Sequence, residues 1–196
     1  MMLINPHVFS NDKVLELLFN GANGSTIIDS TGRHSPSLSP SGTRSIVDNK
    51  LLIGGGGYIR ADAINTSSSD FNFGAGDFSV ECTVTASSSS TYIWMHTAQD
   101  DKFGMCLRMS DYEITLRSYT NYIAIAYNSE SSLIGVTVRV KVARTAGRTA
   151  LLINDVEVGY TLLQLIDVGD YGFIIGAYPP VSYFNGTIDD FIVKKA

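Results

Sequence analysis

Charge is scarce in this chain. Of 196 residues only 17% are charged, against roughly 25% in ordinary globular proteins. Its surface must therefore be covered by Ser, Thr, Asn, Gly and Tyr. A net charge of −5 excludes the broad basic surface of a general nucleic-acid binder. Long apolar runs are absent too, and none approaches the roughly 18 residues of a membrane-spanning helix. The start, Met1-Met2-Leu3-Ile4-Asn5-Pro6-His7, has neither a basic region nor a long apolar stretch, so no secretory leader is expected and synthesis in the cytoplasm is. Two cysteines make no disulfide framework. The three histidines, His7, His34 and His96, have no Cys/His spacing suited to zinc. No Gly-x-Ser-x-Gly elbow is present.

What is abundant is period-2 alternation, the mark of half-buried strands. In Asp77–Thr85 every second residue is apolar, and Val136–Val142 sets four valines on one face against Thr, Arg and Lys on the other. Further strands are expected at Val14–Phe19, Lys50–Ile53, Tyr58–Ala61, Tyr92–His96, Phe103–Met109, Glu113–Ser118, Ile123–Tyr127, Ala150–Ile153, Glu157–Thr161, Tyr171–Ile175 and Thr187–Lys194. Turn-forming pairs separate them: Ala146-Gly147 and Asn154-Asp155 read as hairpin turns. Tyr178-Pro179-Pro180-Val181-Ser182 reads as a rigid loop. Many short strands in one uninterrupted chain predict an all-β sandwich or barrel in a single domain. Cys82 shares its face with Phe78, Val80 and Val84, whereas Cys106 shares its face with Arg108 and alternates with Met105, Leu107 and Met109. The two sulfurs are expected on opposite sides of their sheets, as free thiols.

The order of these segments resembles the laminin-G-like, concanavalin-A-like jelly-roll family. Asn72-Phe73-Gly74-Ala75-Gly76-Asp77-Phe78-Ser79-Val80-Glu81 is similar to the family's F-x-x-G-x-x-D-F-T-I-E segment. Val138–Arg144 followed by Ala150–Val158 resembles its strand pair closing on L-Y-V-D/N-G, with Asp155 where the family has Gly. Ile174-Ile175-Gly176 and Phe184–Val193 resemble the terminal I-G…F-x-G-x-I-D-D-V-R-I strand. Near the start, Leu17–Gly21 and Ile28–Gly32 resemble L-L-F-D-G and D-S-S-G. The resemblance runs from about residue 14 to 194, and its spacing is similar to versions in bacteriophage virion proteins. It implies an antiparallel two-sheet jelly-roll sandwich over 14–196, with the last strand beside an early one, preceded by an N-terminal arm at 1–13.

Some members of that family cleave polysaccharides. Retaining hydrolysis needs two carboxylates about 5–5.5 Å apart, and no alternating acid cluster occurs here. Glu81 stands alone and reads as an outward strand carboxylate; Glu113 has only Asp111 nearby. Gly54–Gly57 lacks the Lys-Ser/Thr of a phosphate loop and reads as a flexible hairpin or bulge. The resemblance implies one cofactor, a structural calcium ion, none being required for activity. Its ligands would be Asp190, or Asp189, with Asp29, since hard cations take oxygen ligands. The other reading is that these aspartates accept hydrogen bonds in turns. Trp94, Tyr119, Tyr122, Tyr127, Tyr178 and Tyr183 are candidate platforms for sugar rings, or ordinary strand and interface aromatics.

Two functions are expected from this reading. The first is a non-enzymatic virion structural protein that decorates a capsid or belongs to a tail. It would touch a major capsid or tail protein and copies of itself, and reside in the virion. The second is a lectin-like module recognising a host surface glycan. Weak charge and many aromatics suit contact surfaces. Neither nucleic acid nor membrane is an expected partner.

Overall fold

The computed structural model describes residues 12–39, 41–61, 69–89, 91–97, 103–118, 124–162, 172–178 and 182–196. Apart from a 3-10 turn at Ser69–Phe71, the regular structure there is antiparallel β. One sheet contains β1 (Lys13–Leu17), β3 (Thr43–Val47), β4 (Lys50–Gly54), β6 (Phe78–Ala86), β11 (Thr137–Thr145), β12 (Arg148–Ile153), β13 (Val156–Thr161) and β17 (Gly186–Lys195). Its order is β13-β12-β11-β6-β17-β4-β3, with β1 also on β17. The other contains β2 (Ser37–Leu38), β5 (Ile59–Ala61), β7 (Thr91–Thr97), β8 (Phe103–Met109), β9 (Glu113–Ser118), β10 (Ile125–Asn128) and β14 (Phe173–Ile175), in the order β10-β9-β8-β7-β14-β5-β2. A small hairpin, β15 (Ala177–Tyr178) with β16 (Ser182–Tyr183), lies against β7. This is the expected jelly-roll sandwich, with the last strand beside early ones.

Inward residues of both sheets fill the space between them, as alternation requires. Val80, Cys82, Val84, Val138, Val140, Val142, Ile188 and Phe191 face Met105, Leu107, Met109, Ile114, Leu116 and Ile175 in one buried cluster. Phe173 sits at its aromatic centre, with ring centroids 5.2–5.7 Å from His96, Phe71, Phe191 and Trp94. His96, read as a polar strand end from the sequence, is buried; its Nε2 lies 2.9 Å from the Phe71 carbonyl oxygen.

Turn chemistry sets the registers. Asn154 and Asp155 have φ of 50° and 65° between β12 and β13, and Asp48 and Asn49 have 51° and 61° between β3 and β4. Two successive positive φ values match the right-handed twist of a hairpin, and Asp and Asn tolerate them where most side chains do not. Gly54–Gly57 forms a turn rather than a flexible hairpin or bulge, and carries the chain from β4 in one sheet to β5 in the other. A Cβ on Gly57 would stand 2.2 Å from the Thr43 carbonyl oxygen, so only glycine fits there.

β17 serves three neighbours. Gly186–Ile188 pairs with β4, and Phe191–Lys194 pairs with β1, while both halves pair with β6. The change of neighbour coincides with a bulge between Asp189 and Phe191, where Asp190 takes φ 52°.

Candidate functional site

The outward face of the seven-stranded sheet gathers side chains that the core has no use for. In β5, β8 and β9 alternation sends Ile59, Ala61, Met105, Leu107, Met109, Ile114 and Leu116 inward. Arg60, Cys106, Arg108, Thr115 and Arg117 therefore point outward. In β7 the register shifts between Tyr92 and Trp94. Ile93 and Trp94 consequently both enter the core, while Tyr92 and Met95 both face out.

Strand pairing aligns these residues in rows. Arg60, Ile174, Met95, Cys106 and Arg117 are successive cross-strand partners on β5, β14, β7, β8 and β9. At about 4.8 Å per strand the row is roughly 19 Å long. Tyr92, Arg108 and Thr115 form the adjoining row. Arg108 and Arg117 are thus diagonal neighbours on adjacent strands, roughly 7–8 Å apart.

The floor is apolar and the rim aromatic. Met95, Cys106, Ile174 and Ala177 are buried in a cluster separate from the main core, and half-buried Tyr58, Tyr92 and Tyr183 pack on it. Tyr183 arrives on the β15–β16 hairpin; the Arg60 guanidinium stands 5.5 Å from the Tyr58 ring centroid. Each tyrosine is half-buried.

The electrostatics of the two outward faces differ. On the eight-stranded sheet, carboxylates answer the cations. Glu81 meets Arg139 at 3.3 Å, Lys194 at 3.4 Å and Lys141 at 3.8 Å, and Arg148 pairs with Glu157. The strands of the seven-stranded sheet carry three arginines against one carboxylate, Glu113. Arg117 forms no ion pair among the described residues, and its buried Nε has no hydrogen-bond partner. Burial pushes the Cys106 thiol up to about 12, against the opposing pull of Arg117 and Arg108.

The residues singled out from the sequence scatter. Of the candidate platforms, Tyr183 belongs to this surface. Trp94 does not: it is 1% exposed and set edge-on against Phe173 inside the sandwich, because the β7 bulge turns it inward. Tyr127 packs on the main core. Tyr119 and Tyr122 lie outside the described residues, and Tyr178 is described only as part of β15. Asp29 commits its carboxylate to its own turn. Oδ1 accepts the N–H groups of Glu16 and Thr31 at 2.9 and 3.0 Å. Oδ2 accepts the Thr31 hydroxyl at 2.6 Å and the His34 and Arg33 N–H groups at 3.0 and 3.2 Å. Those oxygens face donors, which is the reverse of a cation's requirement. Asp190 sits exposed on its bulge with Asp189 beside it; among the described residues no three His, Cys, Asp or Glu side chains gather as metal ligands. Both cysteines are free and buried, one inward and one outward as expected.

The sequence reading missed Tyr58, Tyr92, Arg60, Arg108 and Arg117 as a group. The available signal was an arginine alternating with apolar core residues, as in Leu107-Arg108-Met109 and Leu116-Arg117.

The fold is an antiparallel two-sheet β-sandwich, and it is shared with several solved structures. Among solved structures the chain is similar to the binding domain of botulinum neurotoxin serotype D, with a TM-score of 0.71 and 15% identity over 95% of this chain and 49% of that one. It is also similar to Trypanosoma rangeli sialidase (TM-score 0.69, 16% identity, 94% of this chain and 30% of that one). A structure of botulinum neurotoxin type C, whose cell entry depends on two ganglioside molecules, gives a TM-score of 0.65 at 13% identity, over 93% of this chain and 48% of that one. The chain therefore spans about half the length of the neurotoxin domains and 30% of the sialidase. No protein-family pattern and no curated protein sequence matches it.

Proposed function

We propose that this chain is a carbohydrate-binding module that holds a glycan on the outward face of its seven-stranded sheet, without cleaving it. The observation that carries this reading is the group of half-buried tyrosines, Tyr58, Tyr92 and Tyr183, packed on the buried cluster of Met95, Cys106, Ile174 and Ala177. Sugar rings offer C–H faces for such rings, and tyrosine hydroxyls and guanidinium groups answer their hydroxyls. The neurotoxin structure described by its dependence on gangliosides supports a sugar-recognising use of this sandwich. A glycan array is the direct test. Binding that Tyr183→Ala removes while the melting temperature holds supports the reading; an array without hits rejects it.

A second reading retains the virion role that the sequence resemblance implies, with the module docked on a capsid or tail protein. The observation favouring it is β13, an edge strand of the eight-stranded sheet that exposes Val156 (64%) and Tyr160 (56%), with Leu162 (73%) just beyond it. Exposed apolar edges invite pairing with another chain. Removal of residues 1–13, the arm of that reading, then abolishes incorporation into particles while glycan binding is unaffected. Unchanged incorporation counts against the arm.

A further inference from the structure

The arginines of the proposed glycan surface are more than a polar rim. Arg117 stands directly across from the buried Cys106 on β8, with Arg108 on the diagonal. Glu113, the carboxylate on the same strand, lies two residues beyond Thr115 on the side away from Arg117. Arg117 is therefore left with a buried, unpartnered Nε and no ion pair among the described residues. A guanidinium held over an apolar floor is costly without an anion, because desolvation weakens its hydration and strengthens its attraction for a counter-charge. The strand register sets where both side chains leave the sheet, on one face and on adjacent strands.

We propose that the Arg108–Arg117 diagonal is an anion subsite, and that the glycan bound here carries a carboxylate, as uronic and sialic acid residues do. The inference rests on the glycan-binding reading and adds the class of sugar. A carboxylate is planar and accepts the parallel N–H pair of a guanidinium. Tyr92, the cross-strand partner of Arg108, then faces the ring that bears the carboxylate. Both arginines are only half-buried, so the pair weakens with salt.

Two matched pairs of probes test this. One is 3′-sialyllactose against lactose; the other is an oligogalacturonate against its methyl ester, which removes the charge and keeps the sugar. In calorimetric titrations of the full chain, at least one acidic member binds tenfold or more tightly than its neutral partner. Arg117→Ala reduces that ratio to near one, and Arg117→Lys restores part of it. Tyr183→Ala weakens acidic and neutral members together. Equal binding of acidic and neutral members overturns the subsite and leaves the glycan reading standing. So does an acidic preference that survives Arg117→Ala in a variant with an unchanged melting temperature. Tighter binding of a sulfated oligosaccharide of matched length overturns the carboxylate assignment. Absence of binding to all of these, with an empty glycan array, rejects the glycan reading and the inference with it.

Discussion

Arg108 and Arg117 occupy diagonal positions on β8 and β9, on the outward face of the seven-stranded sheet, and Cys106 is the cross-strand partner of Arg117. The thiol is buried beneath the side chains around it. Burial raises its ionisation to about 12, and the adjacent arginines only partly counter this. A thiol of that kind carries almost no thiolate at neutral pH. Cys82, in the core, is raised further. Titration with a thiol reagent at about pH 8 is expected to find neither cysteine in the folded chain and both after denaturation. Rapid labelling of the native protein contradicts the burial of Cys106.

Asp29 is the tie between the segment that follows β1 and β1 itself. Burial drives its carboxyl up, but hydrogen bonds from the Thr31 hydroxyl and from the backbone N–H groups of Glu16, Thr31 and His34 outweigh this and hold it below the usual range. An acid lowered in the folded state stabilises the protein above its unfolded pKa, and that contribution fades as pH falls through the folded value. Asp29→Asn places an amide donor against the Arg33 and His34 N–H groups. It is expected to cost about 2–3 kcal/mol at neutral pH. The variant's urea midpoint is also expected to fall less steeply on acidification. A midpoint equal to that of the wild type at neutral pH refutes the role.

Glu81 holds Arg139, Lys141 and Lys194 together on the outward face of the other sheet. Arg139 is half-exposed, so solvent weakens its share. Glu81→Gln leaves three cations facing one another and is expected to cost about 1–2 kcal/mol. The loss shrinks at about 1 M salt, where the screening length is near 3 Å. Denaturant melts at low and high salt measure this. A loss independent of salt points to packing instead of charge.

Asp190 behaves in the opposite sense from Asp29. Although the residue is exposed, partial desolvation of its carboxyl, followed by the charges of Asp189, Glu16 and Glu81, raises that group above the ordinary value. A raised acid favours the fold at low pH and disfavours it once pH rises through the folded pKa. Asparagine keeps the left-handed backbone at φ 52° without the charge. Asp190→Asn is expected to stabilise the chain by about 0.5 kcal/mol or less at neutral pH, and to lose that advantage in acid. Thermal melts across pH check the crossover, and destabilisation at neutral pH disproves the charge argument.

Alternation carried most of the fold. The β6 and β11 pattern of valines is legible because one face of each strand meets a continuous core, and Asn154-Asp155 is legible because few pairs tolerate two positive φ values. The hairpin β3–β4 turns on Asp48-Asn49 by the same chemistry, but its strand Thr43–Val47 alternates too weakly to announce itself. The β7 bulge is invisible to a period-2 reading. One extra residue inverts the faces of everything on one side of it, which is how Trp94 came to be expected at a surface and Tyr92 to be overlooked. The candidate site was legible least of all. Its arginines come from β5, β8 and β9, and only the strand order places them on one face.

The central claim is that ligand binds on the outward face of the seven-stranded sheet. Backbone and side-chain NMR shifts, followed during titration with the tightest-binding glycan from the array, test it most directly. The account predicts that the largest changes fall on Tyr58, Tyr92, Tyr183, Arg108 and Arg117, with Glu81, Arg139 and Lys194 on the opposite face unmoved. Saturable changes centred on the eight-stranded sheet, or none on these five residues, contradict it.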